Sequence, residues 1–312
     1  MSSLPSFGIP PMRAVSGTLP PPNEDGWAYE VKWDGYRTLA FIEGDTARLQ
    51  SSNLLDVTKK WAGLPALAAG LSASSGVIDG EVCALDDEGR PRFGLLQRGE
   101  GAIVFVAFDV LHLEGHDVTA LPYDDRHRLL LDAFEPGERW LVPNHQADGA
   151  ALMVATAERG LEGIMAKRRT SPYLPGKRSP AWRKVKHRPQ QELVVGGWLP
   201  GEGNRSGLFA SLLLGYYDAP RQGPLRYAGA VGTGFDSRTL ADLKARLAAL
   251  ATDECPFDPP PPRPVSRYAH WVRPELVAEV AFAEWTSDGL VRQSSFLGRR
   301  DDKDPFDVVR ES

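Results

Sequence analysis

The sequence predicts a mixed α+β chain of two domains, the second a small β-barrel, and three observations carry that expectation. Its 312 residues amount to about two domains at ~150 residues each. Its 31 glycines and 26 prolines are an excess of turn formers, which favours strands over long helices. The texture also changes at Pro189: before it, apolar runs alternate with helical stretches, and after it strand-like runs surround a single helix. The expected division is therefore residues 1–189 and 190–312.

Taken in order, Trp27–Trp33, Arg37–Ile42, Gly76–Leu85 and Ile103–Leu113 are short apolar runs bounded by turns, and they are predicted as strands. Tyr123–Ala133 and Asp148–Arg159 repeat their apolar residues at helical spacing, with Asp148 as a natural N-cap. Gly160–Lys167 reads as a turn feeding a buried strand and Trp182–Lys186 as another strand. Beyond Pro189, strands are expected at Glu192–Trp198, Leu208–Tyr217, Leu225–Gly232 and Leu276–Trp285, with one helix at Asp236–Leu250. Several strands and one helix suit a Greek-key barrel such as the OB-fold, an architecture that commonly grips nucleic acid. Pro259–Pro262 is expected to be a stiff surface loop. Gly201–Gly207 is glycine-rich but lacks the Gly-Lys-Ser/Thr of a P-loop, so a surface loop is expected there.

Composition excludes several classes. Hydrophobic residues at 42% and charged residues at 25% belong to a globular chain, and no apolar run reaches the ~20 residues of a membrane span. Prolines interrupt Met1–Pro22 where a signal peptide needs a continuous apolar stretch, so no export is expected and a cytoplasmic location fits. Cys83 and Cys255 are too few for a disulfide framework and stand in no metal-ligand spacing. The six histidines are scattered and carry no catalytic pattern.

A net charge of −5 would argue against a polyanionic partner, but the sum hides a block. Between Arg159 and Pro189 ten basic residues stand against one acid, Glu162. A solvated basic loop is the plain alternative. On a strand, however, Lys184 and Lys186 share a face, and two neighbouring ammonium groups repel unless an anion lies between them. A phosphate would serve.

The most informative run is Ala28–Arg37, reading AYEVKWDGYR. Alternation places Tyr29, Val31 and Trp33 on one face and Glu30, Lys32 and Asp34 on the other, so that Lys32 lies between two carboxylates. Gly35 ends the strand and swings Arg37 back toward the same pocket. An exposed strand whose charges pair with one another is the alternative on these residues alone.

Lys-x-Asp-Gly-x-Arg, at Lys32, Asp34, Gly35 and Arg37, resembles the nucleotidyl-attachment motif of covalent nucleotidyltransferases: ATP-dependent DNA ligases, RNA ligases and capping enzymes. Further motifs of that group follow in order at Asp79–Glu81, Phe108–Leu111, Glu162–Lys167, Trp182–Lys186 and Arg300–Lys303. Phe93–Gln97, Gly232–Phe235 and Trp271–Leu276 look like the ligase domain of bacterial end-joining proteins and their stand-alone relatives. The resemblance runs from Met12 to Val309. It implies an antiparallel-sheet nucleotidyltransferase (adenylation) domain followed by an OB-fold β-barrel, and an ATP-dependent DNA ligase that seals 5′-phosphate/3′-hydroxyl nicks through a lysyl-AMP intermediate.

An ordinary lysine is protonated at neutral pH, so Lys32 must shed a proton before attacking the α-phosphorus of ATP. Arg37, Lys184 and Lys186 favour that loss if they converge there, while Glu30 and Asp34 oppose it. A divalent cation, Mg2+ or Mn2+, would tip the balance. The resemblance gives Lys32, Asp34, Lys184, Lys186, Arg300 and Lys303 to the chemistry. It assigns Glu81 and Arg37 to the ribose, Phe108 to stacking on adenine, and Lys184 and Lys186 to phosphates, with Glu30, Val31, Met165 and Lys167 also lining the nucleotide. Phe108 is equally suited to filling core. Glu162, the lone acid of the basic block, is the expected metal carboxylate with Glu81 beside it, the alternative being an ion pair with Arg159 or Lys167. Arg300–Lys303 implies domain closure over the leaving pyrophosphate.

One departure stands out. Where the group carries Ser-Arg-x-Gly, this chain has Ser51-Ser52-Asn53-Leu54, and a serine cannot replace the bidentate phosphate clamp of an arginine. Self-adenylation is expected to survive, with weaker nick sensing or a substitute cation. Only 31 residues precede Lys32, so nicked double-stranded DNA is expected to be held by these two domains, by a monomer, or with a Ku-like end-binding protein or a polymerase as partner. The rival readings are an RNA ligase or capping-type enzyme, and a DNA-end-binding scaffold whose sealing activity has decayed.

Overall fold

Residues 4–22, 24–201 and 208–311 are described by a computed structural model, and the chain divides into two units, Met1–His187 and Arg188–Ser312. Most of the glycine-rich loop, residues 202–207, lies outside the described residues.

In chain order the strands of the first unit are β1 (Arg13–Ser16), β2 (Trp27–Val31), β3 (Tyr36–Glu43), β4 (Thr46–Ser51), β5 (Ser75–Leu85), β6 (Ala102–Leu113), β7 (His116–Asp117), β8 (Trp140–Leu141), β9 (Gly163–Arg168) and β10 (Arg178–Lys186), and the helices are α1 (Phe93–Arg98), α2 (Tyr123–Ala133) and α3 (Gly149–Glu158). They form two sheets, one in the order β1-β10-β9-β2 and one in the order β4-β3-β5-β6-β7 with β8 also on β6. Pairing is antiparallel except for β1 on β10 and β8 on β6. α2 occupies its expected span, and the Asp148 side chain caps α3 by accepting from the Ala151 amide at 2.9 Å.

Alternation along β2, β9 and β10 gives the first sheet two different faces. Trp27, Tyr29, Ile164, Ala166 and Val185 bury one face against Leu152 and Met153 of α3. The opposite face carries Glu30, Met165 and Lys184 in one cross-strand row and Ala28, Lys167 and Trp182 in the next. That face meets the second sheet through a core of Met12, Leu39, Phe41, Val77, Phe108, Leu111, Tyr173 and Trp182. The site is therefore built between two sheets, on a floor that cannot shift without disturbing close packing.

β2 stops at Val31, two residues short of expectation. Trp33 leaves the Tyr29 face and packs instead with Cys83, Val104 and Val106. The cause is Gly35, where a Cβ would lie 2.1 Å from the Val82 carbonyl oxygen: the chain turns early because its backbone presses directly on β5. The loop after β4 holds a second surprise. Leu54, at the position of the absent glycine, has φ of 64°, a left-handed conformation that costs an L-residue about 1–2 kcal/mol. Glycine adopts it freely but loses about 0.5–1 kcal/mol of chain entropy. Leu54→Gly should therefore leave stability unchanged or raise it by about 1 kcal/mol, read as the midpoint of urea unfolding, whereas Leu54→Val should lower it.

The second unit contains β11 (Gln190–Pro200), β12 (Phe209–Tyr216), β13 (Arg226–Val231), β14 (Ala251–Thr252), β15 (His270–Ala281), β16 (Glu284–Trp285), β17 (Val291–Arg292) and β18 (Ser295–Arg299), with α4 (Ser237–Ala249) and α5 (Arg263–Ser266). The order is β13-β12-β11-β15-β14, with β18 on the long β15, and β16 pairs β17 apart from it. Leu240, Leu243 and Leu247 of α4 close one end of the core over Leu193, Leu212, Val280 and Phe296. The run expected as one strand from Leu276 to Trp285 is two: β15 ends at Ala281, and the Ala283 amide turns to the Arg292 carbonyl at 2.9 Å. Among the described residues no helix is long and apolar enough to cross a membrane.

Candidate active site

Three strand ends converge on one carboxylate. Lys32 follows β2, and its amide donates to the Gly163 carbonyl at 3.0 Å, while Lys186 at the end of β10 is paired in register with Gly163. Glu162 immediately precedes β9. Lys32 Nζ closes on Glu162 Oε2, and Lys186 Nζ stands 2.9 Å from Oε1. Gly163 makes this approach possible, since its φ is 151° and a Cβ would lie 2.1 Å from the Val185 carbonyl oxygen. Lys184 points to the same side as Lys186, next to Met165 and one strand further from Glu30.

Lys32 is thus not held between Glu30 and Asp34 as alternation suggested; Glu162 closes on it, from 130 residues away. Nor does Glu162 pair with Arg159 or Lys167. Burial alone would raise the pKa of Glu162, but Lys32 and Lys186 outweigh it and lower the value from 4.5 to about 2. Because the folded value is depressed, the stability this contact contributes is fully present above about pH 4.5 and lost as the pH falls through about 2. Acid titrations of unfolding should show wild type and Glu162→Gln separated above pH 4.5 and converging toward pH 2.

Glu30 and Lys167 form a buried pair of their own. They are 4% and 1% exposed and 2.8 Å apart. Tyr123 donates its hydroxyl to Glu30 Oε1, and the Lys167 ammonium lies 4.4–4.9 Å from the ring centroids of Trp182, Phe108 and Tyr123. Burial, then Glu30, push the Tyr123 hydroxyl well above its usual range, which keeps it a donor.

Arg37 turns to Asp79, making two hydrogen bonds of 2.5 Å with its oxygens. Asp79 also accepts from Tyr173 at 2.6 Å, and the same tyrosine oxygen accepts from the Met12 amide at 2.9 Å. Burial opposes the charge on Arg37 but Asp79 raises its pKa further. The guanidinium lies 4.5 Å over the Phe108 ring, and Phe108 is 7% exposed, so that ring fills core and faces a cation together. Glu81 is paired in register with Arg37. Val31 and Met165 are half-buried along the same strands. Beneath them Asp109 and Arg126, each 0% exposed, make two bonds of 2.8 and 2.9 Å, and Arg126 donates also to the Leu121 and Ser171 carbonyls at 2.6 and 2.9 Å.

Asp79, Asp109, Tyr123, Arg126 and Tyr173 were given no role from sequence. Asp79 and Asp109 had a signal, each within a named motif; Tyr123, Tyr173 and Arg126 had none, the tyrosines because their carboxylate partners lie 93 and 94 residues away.

In the second unit, Arg300 makes two 2.8 Å bonds to Asp302 and lies 3.3 Å from Glu279 and 3.9 Å from Glu192. Lys303 stands 3.1 Å from Glu192. Glu192 and Glu279 face each other across β11 and β15, so the two cations offset a carboxylate pair that would otherwise repel.

Among the described residues no three His, Cys, Asp or Glu side chains gather as a metal cage. One carboxylate beside lysines nevertheless fits Mg2+, which keeps several waters and is commonly held by one or two carboxylates plus substrate phosphates.

Comparison with known proteins follows the same two halves. Residues 11–186 match the family described as ATP dependent DNA ligase domain, and residues 205–303 match the ATP dependent DNA ligase C terminal region. The chain is 45% identical over 306 residues to the multifunctional non-homologous end joining DNA repair protein LigD of Mycobacterium tuberculosis, covering 97% of this chain and 40% of that protein. It is 36% identical to the Pseudomonas aeruginosa LigD, covering 97% and 36%. The chain thus spans about two fifths of the length of these relatives. Among solved structures it is similar to mycobacterial DNA ligase D complexed with ATP and MES, at 42% identity, a TM-score of 0.70 and coverage of 97% and 98%. The fold accordingly is a nucleotidyltransferase domain followed by an OB-fold domain.

Proposed function

Since the chain belongs to the ATP-dependent DNA ligase family, we propose that Lys32 is its adenylate acceptor in the sealing of nicked DNA. The observation that carries the proposal is the meeting of Lys32, Glu162 and Lys186 at three strand ends. The reaction then has three steps. The Lys32 amine displaces pyrophosphate from ATP, the AMP passes to a 5′-phosphate at the nick, and the 3′-hydroxyl attacks that phosphate with release of AMP. Each step asks the protein chiefly to align in-line groups and to neutralise charge.

Lys184 and Lys186 neutralise the α-phosphate, and Asp34 lies in the turn that carries Lys32. Arg37 and Glu81, register partners on β3 and β5, hold the ribose. Glu30, Val31, Met165 and Lys167 form the nucleotide-side face of the first sheet, with Phe108 above it. Arg300 and Lys303 serve the pyrophosphate. Glu162, with Glu81, would hold Mg2+ or Mn2+, which when bound neutralises carboxylate and phosphate charge. Glu162 must release Lys32 before its amine can attack.

The likeness to LigD proteins supports a role in DNA repair and end joining, in the bacterial cytoplasm at the nucleoid. A monomer working beside a Ku-like end-binding protein or a polymerase is the corresponding assembly. Incubation with ATP followed by intact-mass measurement tests the first step, and a gain of one adenylate is expected. RNA-sealing and capping chemistry share the lysine; labelled GTP and nicks with RNA strands should give no product. A scaffold without sealing activity would show no mass gain.

A further inference from the structure

The β1–β10 edge of the first sheet is basic for a reason the nucleotide pocket does not supply. β1 belongs to residues 1–22 and β10 to residues 163–190, and neither segment contains an aspartate or a glutamate. The strands pair in parallel with Arg13 opposite Arg178, and the Arg13 amide donates to the Lys177 carbonyl at 2.8 Å. Arg13, Lys177 and Arg178 are all exposed. Among the described residues none of the three makes an ion pair, and Arg178 spends one N–H on the Ala14 carbonyl at 2.8 Å.

Four other basic residues of this sheet and its flanks have acidic partners. Lys167 has Glu30, Arg168 has Glu24, Arg169 has Asp124 and Lys186 has Glu162. Like charges directly opposite on neighbouring strands are destabilising, and at this edge the chain supplies no counter-charge. β10 continues from Arg178 to Lys184 and Lys186, with a break in its register against β1 between Ser179 and Arg183. At about 3.3 Å per residue, the run from Arg178 to Lys184 spans up to about 20 Å, roughly half a turn of duplex. A polyanion lying along it has one end at Lys32 and Glu162.

We infer that Arg13, Lys177 and Arg178 form a docking edge for the phosphate backbone of the DNA duplex beside the nick. This rests on the ligase reading above and names where its substrate lies. It also offers cations in place of the arginine absent at Ser52, though along a different strand. Contacts of this kind release counterions, each phosphate steepening the salt dependence of binding by about 0.9 in log–log slope.

The test is the triple variant Arg13→Ala, Lys177→Ala, Arg178→Ala in the full chain, titrated by fluorescence anisotropy against a nicked duplex whose 3′ end cannot react, between 50 and 200 mM KCl. The slope should become shallower by about 2–3, and affinity at the lower salt should fall at least tenfold. Adenylation by ATP, read as mass gain, should stay within twofold of wild type. Arg13→Lys with Arg178→Lys should retain the salt slope. An unchanged slope and affinity would overturn the inference. So would a triple variant that no longer adenylates, since the residues would then serve the fold. Weakened binding to phosphatidylglycerol vesicles with DNA binding intact would assign the edge to a membrane and overturn it as well. A wild-type chain that gains no adenylate points instead to failure of the ligase reading, so the two failures are distinguishable.

Discussion

Lys32→Ala is expected to abolish the mass gain with ATP while leaving affinity for nicked duplex within a few-fold of wild type. No other residue can stand in: a covalent intermediate needs a nucleophile aligned with the α-phosphorus, and Lys184 and Lys186 reach the site from a different strand. Sealing should fall below detection with ATP. A nick that already carries AMP on its 5′-phosphate bypasses the lost amine, so sealing of that substrate should survive. If the variant adenylates as wild type does, the assignment of Lys32 is wrong. The variant should remain folded, because Lys186 still accompanies Glu162.

Asp109→Ala should be the most damaging single change to the fold of the first unit. Both members of the Asp109–Arg126 pair are 0% exposed, and removing one partner of a buried pair leaves an uncompensated charge, at a cost of about 3–5 kcal/mol. The two carbonyl contacts of Arg126 orient the guanidinium but cannot neutralise it. The expected result is a large fall in the urea midpoint of the transition that unfolds the first unit. The double variant Asp109→Leu, Arg126→Met should recover much of that loss, because well-packed apolar residues often replace a buried ion pair without penalty. A loss in Asp109→Ala below about 1 kcal/mol would mean that water or a neighbour compensates Arg126.

The parts of this protein legible in its sequence are those written locally. The strand before Lys32, the α2 and α3 helices, and the shared face of Lys184 and Lys186 follow from periodicity over a few residues, and the structure has them. The convergence of Lys32 with Glu162 was not written locally. The motifs pointed to both residues, but alternation alone paired Lys32 with Glu30, whose true partners are Lys167 and Tyr123. The early end of β2 escaped notice because it depends on the Val82 carbonyl, a backbone atom that no side-chain pattern records. β1 and β4 were missed because short strands with polar residues carry little apolar signal. The pairing of β1 with β10 is set by distant chain, whereas β4 folds straight back on β3 through Gly44 and Asp45.

The Glu162 carboxylate, shared by two ammonium groups, also bears on inhibitor design. A lysine-selective covalent reagent aimed at Lys32 must first displace Glu162, and in doing so it uncovers Lys186 as well. Reagents bearing an anionic group should therefore gain selectivity, whereas neutral electrophiles should label exposed surface lysines first.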